Sequence, residues 1–186
     1  MRIRKSVLKI RNGRGFTMLE VLIVLVILGI LAIVAVNRAI DQNAEVYAGA
    51  DALKSHLRYA QTMAMNTNPT TSTSVAEKTV WGIRGTAGAY WLFSGPDPAA
   101  AATYMLLPDN DECINPDKTI NLTAKKIKLA SAFTVYFDYR GIPYTAYTSS
   151  TANTPLAAPL TINIQPLNSA TPSIPVTITP FTGYIK

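Results

Sequence analysis

The sequence contains very few residues that could cross-link the chain or bind a metal ion. Among 186 residues there is one cysteine, Cys113, and one histidine, His56. This excludes an intrachain disulfide and the multi-histidine or thiolate sites that bind zinc. We therefore expect packing alone to stabilise the fold. Cys113 is interpreted as a small, partly buried apolar residue, with a bridge to another chain as the alternative.

Recognisable enzyme motifs are also missing. The sequence has neither a glycine-rich phosphate loop nor a nucleophile elbow. His56 is interpreted as a surface or interface residue, with a catalytic base as the alternative. The sequence thus predicts no enzymatic activity, no cofactor and no bound metal.

Acidic residues are absent from the first fourteen positions, where six of the 17 basic residues lie. These six are Arg2, Arg4, Lys5, Lys9, Arg11 and Arg14. The other 11 basic residues equal the 11 acidic ones, so the net charge of +6 belongs to this first segment. A charge confined to one short segment gives little support for attraction of the whole chain to DNA.

A long apolar run follows, and it has the length of a membrane span. Residues 16–36 read FTMLEVLIVLVILGILAIVAV and contain a single charged residue, Glu20. As a helix the run would be about 30 Å long, which matches the hydrocarbon core of a bilayer. The basic residues before it predict a cytoplasmic leader over 1–15 and a membrane-spanning helix over 16–36. A cleaved secretory signal peptide is the alternative, but the length of the run and Glu20 argue against it.

The helical pattern continues beyond the apolar run in amphipathic form. One stripe of apolar residues recurs at alternating steps of four and three: Val46, Ala50, Leu53, Leu57, Ala60 and Ala64. Such spacing places all six on one face of a helix. We expect residues 37–68 to be the amphipathic half of one long helix that ends just before Pro69.

Residues 69–186 have the composition of a β-rich domain. Predicted strands lie at 80–83, 89–93, 104–107, 127–129, 133–137, 160–164, 174–178 and 184–185, the first two forming a hairpin, and 149–159 reads as an exposed loop. Trp81, Tyr90, Trp91 and Phe93 are interpreted as core and sheet-face aromatics, with a carbohydrate-binding surface as the alternative. The predicted fold class is α+β. A long N-terminal helix, membrane-spanning and then amphipathic, packs on a C-terminal antiparallel β-sheet or β-sandwich.

The junction between the basic segment and the apolar run carries the most specific motif. The sequence Gly15-Phe16-Thr17-Met18-Leu19-Glu20 resembles the type IV prepilin signal of type IV pilins and type II secretion pseudopilins. The resemblance implies that a prepilin peptidase cuts between Gly15 and Phe16 and N-methylates Phe16. It also implies that Glu20 is the assembly carboxylate.

The same resemblance implies the partners and the location of the chain. Its partners would be other pilin or pseudopilin subunits, the prepilin peptidase, an inner-membrane assembly platform and the lipid bilayer. The chain would cross the inner membrane once, with its N-terminus in the cytoplasm and its domain in the periplasm. It would then enter a pilus or a pseudopilus.

Physical reasoning supports the role that the resemblance implies for Glu20. An ionised carboxylate in hydrocarbon costs several kcal/mol and is rarely left without a partner. Cleavage would free a cationic amine at Phe16, which could pair with Glu20 of a neighbouring subunit and set the axial register of the helices. The alternative is that Glu20 only reaches toward the cytoplasmic headgroups. Gly29, within the run, would permit close helix approach.

The rest of the chain resembles GspH/FimT-like minor pilins and pseudopilins, through residues 53–66, 133–144 and 178–185. A major pilin, the abundant subunit of a filament, is one alternative. Another is a DNA-binding or adhesive minor pilin, because some relatives take part in DNA uptake through basic residues near a C-terminal Gly-Arg motif. The candidate DNA-binding residues here are Lys125, Lys126, Lys128 and Lys186. The first three are also explained as solvated lysines of an edge strand, on which Lys126 and Lys128 would share one face.

Overall fold

The computed structural model describes residues 16–67, 80–108, 116–149 and 151–186, with the backbone alone over 33–42. The predicted leader over 1–15, including Gly15, lies outside the described residues, as does Cys113. The chain divides into two compact units, Met1–Ala39 and Ile40–Lys186.

The helix α1 extends over Met18–Asn66, which confirms one long helix at the N-terminus. It begins two residues later and ends two residues earlier than predicted. In the first unit, every side chain over 16–32 is exposed. Within the part of the chain whose side chains the structure describes, no helix is long and apolar enough to qualify as a membrane span.

In the second unit, α1 buries the apolar stripe that its sequence predicts. All six stripe residues are at most 1% exposed, namely Val46, Ala50, Leu53, Leu57, Ala60 and Ala64. They join a core that includes residues of both β-sheets, among them Ile83, Val135, Ile164 and Val176. The burial of apolar surface on one helix face therefore holds this part of α1 against the sheets.

The larger sheet has seven antiparallel strands. They are β1 (Trp81–Gly85), β2 (Ala89–Ser94), β3 (Tyr104–Met105), β4 (Ile120–Asn121), β6 (Phe133–Phe137), β7 (Pro143–Tyr147) and β8 (Asn153–Pro155). Their order is β3-β2-β1-β6-β7-β8, and β4 pairs separately with β2. The predicted hairpin is confirmed by β1 and β2, in which Ile83 lies opposite Leu92.

The smaller sheet has three antiparallel strands: β5 (Ile127–Leu129), β9 (Leu160–Pro166) and β10 (Ile174–Ile178). Their order is β10-β9-β5, so β5 is an edge strand. Alternate residues of β9 and β10, such as Ile162, Ile164 and Val176, enter the core. The observed architecture is α+β, as the sequence predicts.

A second apolar cluster lies apart from the main core. It consists of Val80, Trp91, Phe93, Tyr136, Tyr144 and Tyr147. Because successive residues of a strand point to opposite faces, Leu92 joins the main core while Trp91 and Phe93 join this cluster. The interpretation of Tyr90, Trp91 and Phe93 as core and sheet-face aromatics is therefore confirmed.

Several strand predictions need correction. The segment 149–159, predicted as a loop, contains β8, and neither β4 nor β7 was predicted. These strands are two to five residues long, and two of them contain proline, so their local sequence pattern is weak. Whether they form strands depends on pairing with neighbouring strands. The predicted strand at 104–107 shortens to Tyr104–Met105, and that at 184–185 reduces to an isolated bridge between Ile178 and Ile185.

Candidate processing and assembly site

The first turn of α1 is closed by a threonine. The backbone N–H of Glu20 donates to Oγ1 of Thr17 at 3.2 Å and to the carbonyl oxygen of Thr17 at 3.0 Å. The N–H of Val21 donates to the same carbonyl at 3.2 Å. Thr17 is therefore the N-cap of α1, and Glu20 occupies the third helical position, the spacing of a capping box.

The cap places the candidate processing residue outside the helix. Phe16 and Thr17 precede α1, and the side chain of Phe16 is 81% exposed. Met18, the first helical residue, is 90% exposed. The described side of the candidate cleavage bond is thus non-helical and open, which suits a protease that must reach the backbone.

Glu20 lies in the first turn of α1, where its side chain is exposed. A carboxylate at this position interacts favourably with the positive end of the helix dipole. In the described parts of the chain, Glu20 forms no salt bridge. Its carboxylate is therefore available to a cation from outside these residues.

The structure brings three of the four candidate DNA-binding lysines near one another. Lys125 and Lys126 lie in the turn over 122–126, and Lys128 lies in the edge strand β5. Lys126 has a φ of +58° and its N–H donates to the carbonyl of Thr123 at 3.0 Å. The expectation that Lys126 and Lys128 share one strand face is wrong, because Lys126 belongs to a turn with left-handed backbone.

The fourth lysine lies at the opposite edge of the smaller sheet. Lys186 exchanges two backbone hydrogen bonds with Thr177 of β10, at 3.0 and 3.1 Å. From β5 to Lys186 the path crosses three strand spacings, roughly 14 Å. Lys186 and Lys128 therefore do not form one compact patch. The location of Lys128 on β5 agrees with the edge-strand interpretation.

His56 is buried, and the expectation of a surface position is corrected. It is 4% exposed, and its Nδ1 lies 2.8 Å from the phenolic oxygen of Tyr90. His56 is adjacent in sequence to the buried stripe, and the bulky Tyr90 on β2 covers it. Among the described residues, no group of three or more histidine, cysteine, aspartate or glutamate side chains could hold a metal ion.

The sequence interpretation missed two polar arrangements. One is the Thr17 cap, which the pattern Thr-x-x-Glu before an apolar run could have revealed. The other is centred on Asp138, which is 3% exposed and accepts hydrogen bonds from Arg140, Ile142 and Tyr144. An aspartate between an apolar strand and Arg-Gly indicates a turn, but its burial is set by tertiary packing.

Burial and charge together shift the ionisation of groups at this turn. Burial raises the pKa of Tyr144 above its ordinary value, and the nearby negative charge of Asp138 raises it further. A hydrogen bond to Asp138 raises the pKa of Arg140, which stays cationic. Both pKa shifts involve Asp138, whose hydrogen bonds hold this turn in place.

Comparison with known families identifies the N-terminal segment. Residues 10–36 match the family model described as the prokaryotic N-terminal methylation motif. No curated protein and no solved structure matches the chain significantly. The motif indicates a type IV pilin-like precursor that prepilin peptidase processes and that assembles with other pilin subunits. It also indicates membrane anchoring before assembly, and a structural role.

Proposed function

We propose that the chain is a structural subunit of a type IV pilus or of a type II secretion pseudopilus. Residues 1–15 are a cytoplasmic leader, 16–36 cross the inner membrane, and the domain that follows lies in the periplasm. Prepilin peptidase cuts between Gly15 and Phe16 and N-methylates Phe16. The match of residues 10–36 to the methylation motif carries this proposal.

The exposure of the apolar side chains at the start of α1 supports assembly through this helix. Residues such as Leu25, Ile27 and Leu31 are more than half exposed. Moving one such side chain out of water stabilises by roughly 1.5–3 kcal/mol. Contact with lipid before assembly, and with neighbouring helices afterwards, would supply that stabilisation.

Glu20 sets the axial register between neighbouring helices, whose apolar surfaces are otherwise interchangeable. Its exposed carboxylate lies one turn after Phe16, where cleavage would leave a cationic amine. A charge pair between the amine of one subunit and Glu20 of the next satisfies both charges in an apolar surrounding. A subunit added in another register would leave both charges unpaired.

Processing is tested by expressing the chain with a prepilin peptidase and analysing its N-terminus by mass spectrometry. We expect the mature chain to begin at Phe16 and to carry one methyl group on its amine. Gly15→Leu should block cleavage, whereas the matched change Gly13→Leu should not. A mature chain that keeps residues 1–15 contradicts the proposal.

Assembly is tested with Glu20→Gln in cells that build the filament. We expect normal removal of the leader but a fall of roughly tenfold or more in filament yield, because breaking a buried charge pair costs several kcal/mol. Asp97→Asn, which removes an exposed acid elsewhere, is the control. Normal yield from Glu20→Gln contradicts the role assigned to Glu20.

Experiment can distinguish a minor subunit from a major, repeating one. The resemblance of 53–66, 133–144 and 178–185 to GspH/FimT-like proteins supports a minor subunit. A main subunit that repeats along the filament is favoured by complementary surfaces on the second unit, described below. A DNA-binding role has less support, because Lys128 and Lys186 lie at opposite edges of the smaller sheet. Counting copies per filament by quantitative mass spectrometry separates the first two.

A further inference from the structure

Exposed apolar side chains of the second unit concentrate near the carboxyl end of α1. Six large apolar side chains are exposed among its described residues: Tyr47, Met65, Leu106, Tyr139, Phe181 and Tyr184. Four of them, with Arg58, form what we call the C-terminal patch: Met65, Tyr139, Phe181 and Tyr184. Aromatic, methionine and arginine side chains are the types enriched at protein interfaces.

Contacts made by α1 hold the parts of this patch together. Nε2 of Gln61 donates to the carbonyl of Gly141 at 2.9 Å and to that of Thr182 at 3.3 Å. A Cβ added at Gly141 would lie 3.1 Å from Sδ of Met65. The turn that carries Tyr139 and the loop that carries Phe181 therefore meet beside the last turns of α1.

The loop that presents the aromatic rings has a fixed backbone. Phe181 has a φ of +63°, a conformation that a bulky residue rarely adopts, yet its side chain is 70% exposed. The N–H of Gly183 donates to the carbonyl of Thr179 at 3.1 Å, and that of Thr179 to Tyr184 at 2.8 Å. A ring held outward on a fixed loop loses little freedom when it is buried by a partner.

Arg58 adds a positive charge that no described acid neutralises. One terminal nitrogen of its guanidinium donates to the carbonyl of Ile185 at 2.9 Å, a neutral acceptor. Among the described residues, Arg58 takes part in no salt bridge. Arg140, also near the patch, is already paired with Asp138 at 3.0 Å. The unpaired charge of the C-terminal patch is therefore that of Arg58.

The same face of α1 carries the complementary chemistry on the amino side of Arg58. Tyr47 and Asp51 precede Arg58 by eleven and seven residues, so all three lie on one face of α1. The side chain of Asp51 is 77% exposed, whereas that of Lys54, its partner at 3.2 Å, is 25% exposed. Tyr47 and Asp51 lie in what we call the acidic segment, 43–51, which also contains the exposed Glu45 on another face of the helix.

We propose that the C-terminal patch of one copy binds the acidic segment of a second copy of this chain. The proposal rests on the proposed filament function and takes up its second candidate, a repeating subunit. The positive charge of Arg58 meets Asp51, and Tyr47 packs among exposed aromatic rings. Because the two surfaces are distinct, the contact is heterologous, and it can repeat from one copy to the next along a filament.

The distance between the two surfaces makes the contact testable by cross-linking. Gln61, which contacts the Phe181 loop, lies fourteen residues after Tyr47, about 21 Å along the helix. A short cross-link from position 181 to the acidic segment therefore has to join two copies. The experiment replaces Phe181 in the full chain by the photoreactive p-benzoylphenylalanine, in cells that build the filament. The same replacement at Leu106, exposed outside the patch, is the control.

We expect irradiation to give dimers cross-linked from position 181 to the acidic segment, 43–51, and at least threefold fewer such dimers from position 106. Arg58→Asp should lower the dimer yield at least threefold, and adding Asp51→Arg should restore it. Arg58→Gln removes the charge but keeps a donor for Ile185, so it should also lower the yield while leaving thermal unfolding unchanged.

Cross-links to another protein or to another region, in filaments that form normally, overturn this inference alone. Equal dimer yields from Arg58→Asp with and without Asp51→Arg also overturn it. A wild-type chain that keeps its leader and builds no filaments overturns the proposed function, and this inference with it.

Discussion

The phenol of Tyr144 in β7 donates a hydrogen bond to Oδ2 of the buried Asp138 at 3.1 Å, across the turn that connects β6 and β7. Oδ1 of the same carboxylate accepts from the backbone N–H groups of Arg140 and Ile142, both at 2.9 Å. A buried carboxylate with this many donors holds its turn in one conformation, since each donor would otherwise lack a partner. The same turn carries Tyr139, whose side chain is exposed to solvent.

Removing this carboxylate should destabilise the domain strongly. Asp138→Ala removes the acceptor of two part-buried backbone N–H groups and of the buried phenol of Tyr144. We expect the free energy of unfolding to fall by about 3 kcal/mol. Denaturant titration measures it. Asp51→Ala, which removes an exposed acid, is the control and should change it by less than about 1 kcal/mol. Equal effects of the two changes would contradict the role given to Asp138.

Deprotonation of Tyr144 should lower the stability of the domain at alkaline pH. Burial, and then the charge of Asp138, raise its pKa above the ordinary value of 10.0. The folded state then holds the proton more tightly than the unfolded state. The resulting stabilisation is complete below about pH 10 and is lost as the pH rises through the folded pKa.

Tyr144→Phe tests this dependence. We expect the variant to lose about 1–2 kcal/mol at neutral pH, because one buried hydrogen bond is gone. As the pH rises above about 10 it should lose less stability than wild type, since it has one fewer phenol to deprotonate. Burial also raises the pKa of Tyr136, so its deprotonation should still cause part of the loss of stability at high pH. The exposed Tyr139→Phe is the control, and an alkaline loss equal to wild type in Tyr144→Phe would refute the assignment.

Two glycines should respond differently to alanine. A Cβ at Gly82 would meet the backbone oxygen of Val135 and, at 2.6 Å, Cζ of Phe93. Since the paired strand β6 would have to move, we expect Gly82→Ala to lower the free energy of unfolding by about 3 kcal/mol. A Cβ at Gly49 would meet the terminal methyl of Ile127, which can turn aside, so that loss should be about 1 kcal/mol. Denaturant titration compares the two, and a larger loss at Gly49 would be inconsistent with this packing.

Thr17 should control the order of the first turn of α1. Thr17→Val keeps the side-chain shape but removes the oxygen that accepts from the N–H of Glu20. Loss of an N-cap costs about 1 kcal/mol, so amide exchange at Leu19 and Glu20 should become about fivefold faster. The measurement is hydrogen exchange by nuclear magnetic resonance in detergent micelles. Thr17→Ser retains the acceptor and should exchange as wild type does; equal rates in the two variants would show that Thr17 is not a cap.

The buried face of α1 and the bounds of several strands follow closely from local sequence patterns. The alternating steps of four and three along α1 predicted the buried face from Val46 to Ala64, because side chains at that spacing share one side of a helix. The strands β5, β6 and β10 were predicted with their observed bounds, and they are rich in β-branched or aromatic residues. The motif around Phe16 was also predicted, and the family comparison supports it.

The features that sequence reasoning missed depend on contacts between distant segments. The short strands β4 and β8 exist because β2 and β7 supply their hydrogen-bond partners. The burial of His56 depends on Tyr90, 34 residues away. The separation of Lys186 from Lys128 follows from the strand order β10-β9-β5.

The sequence by itself predicted a pilin-like precursor, which the match of residues 10–36 supports, because the motif and the apolar run are local patterns that do not depend on packing. It also determined the buried face of α1, through the fixed periodicity of a helix. Only the tertiary structure decided which polar and aromatic side chains meet. Asp138 with Tyr144, and Gln61 with the Phe181 loop, are joined by chain topology, and no local pattern contains that information.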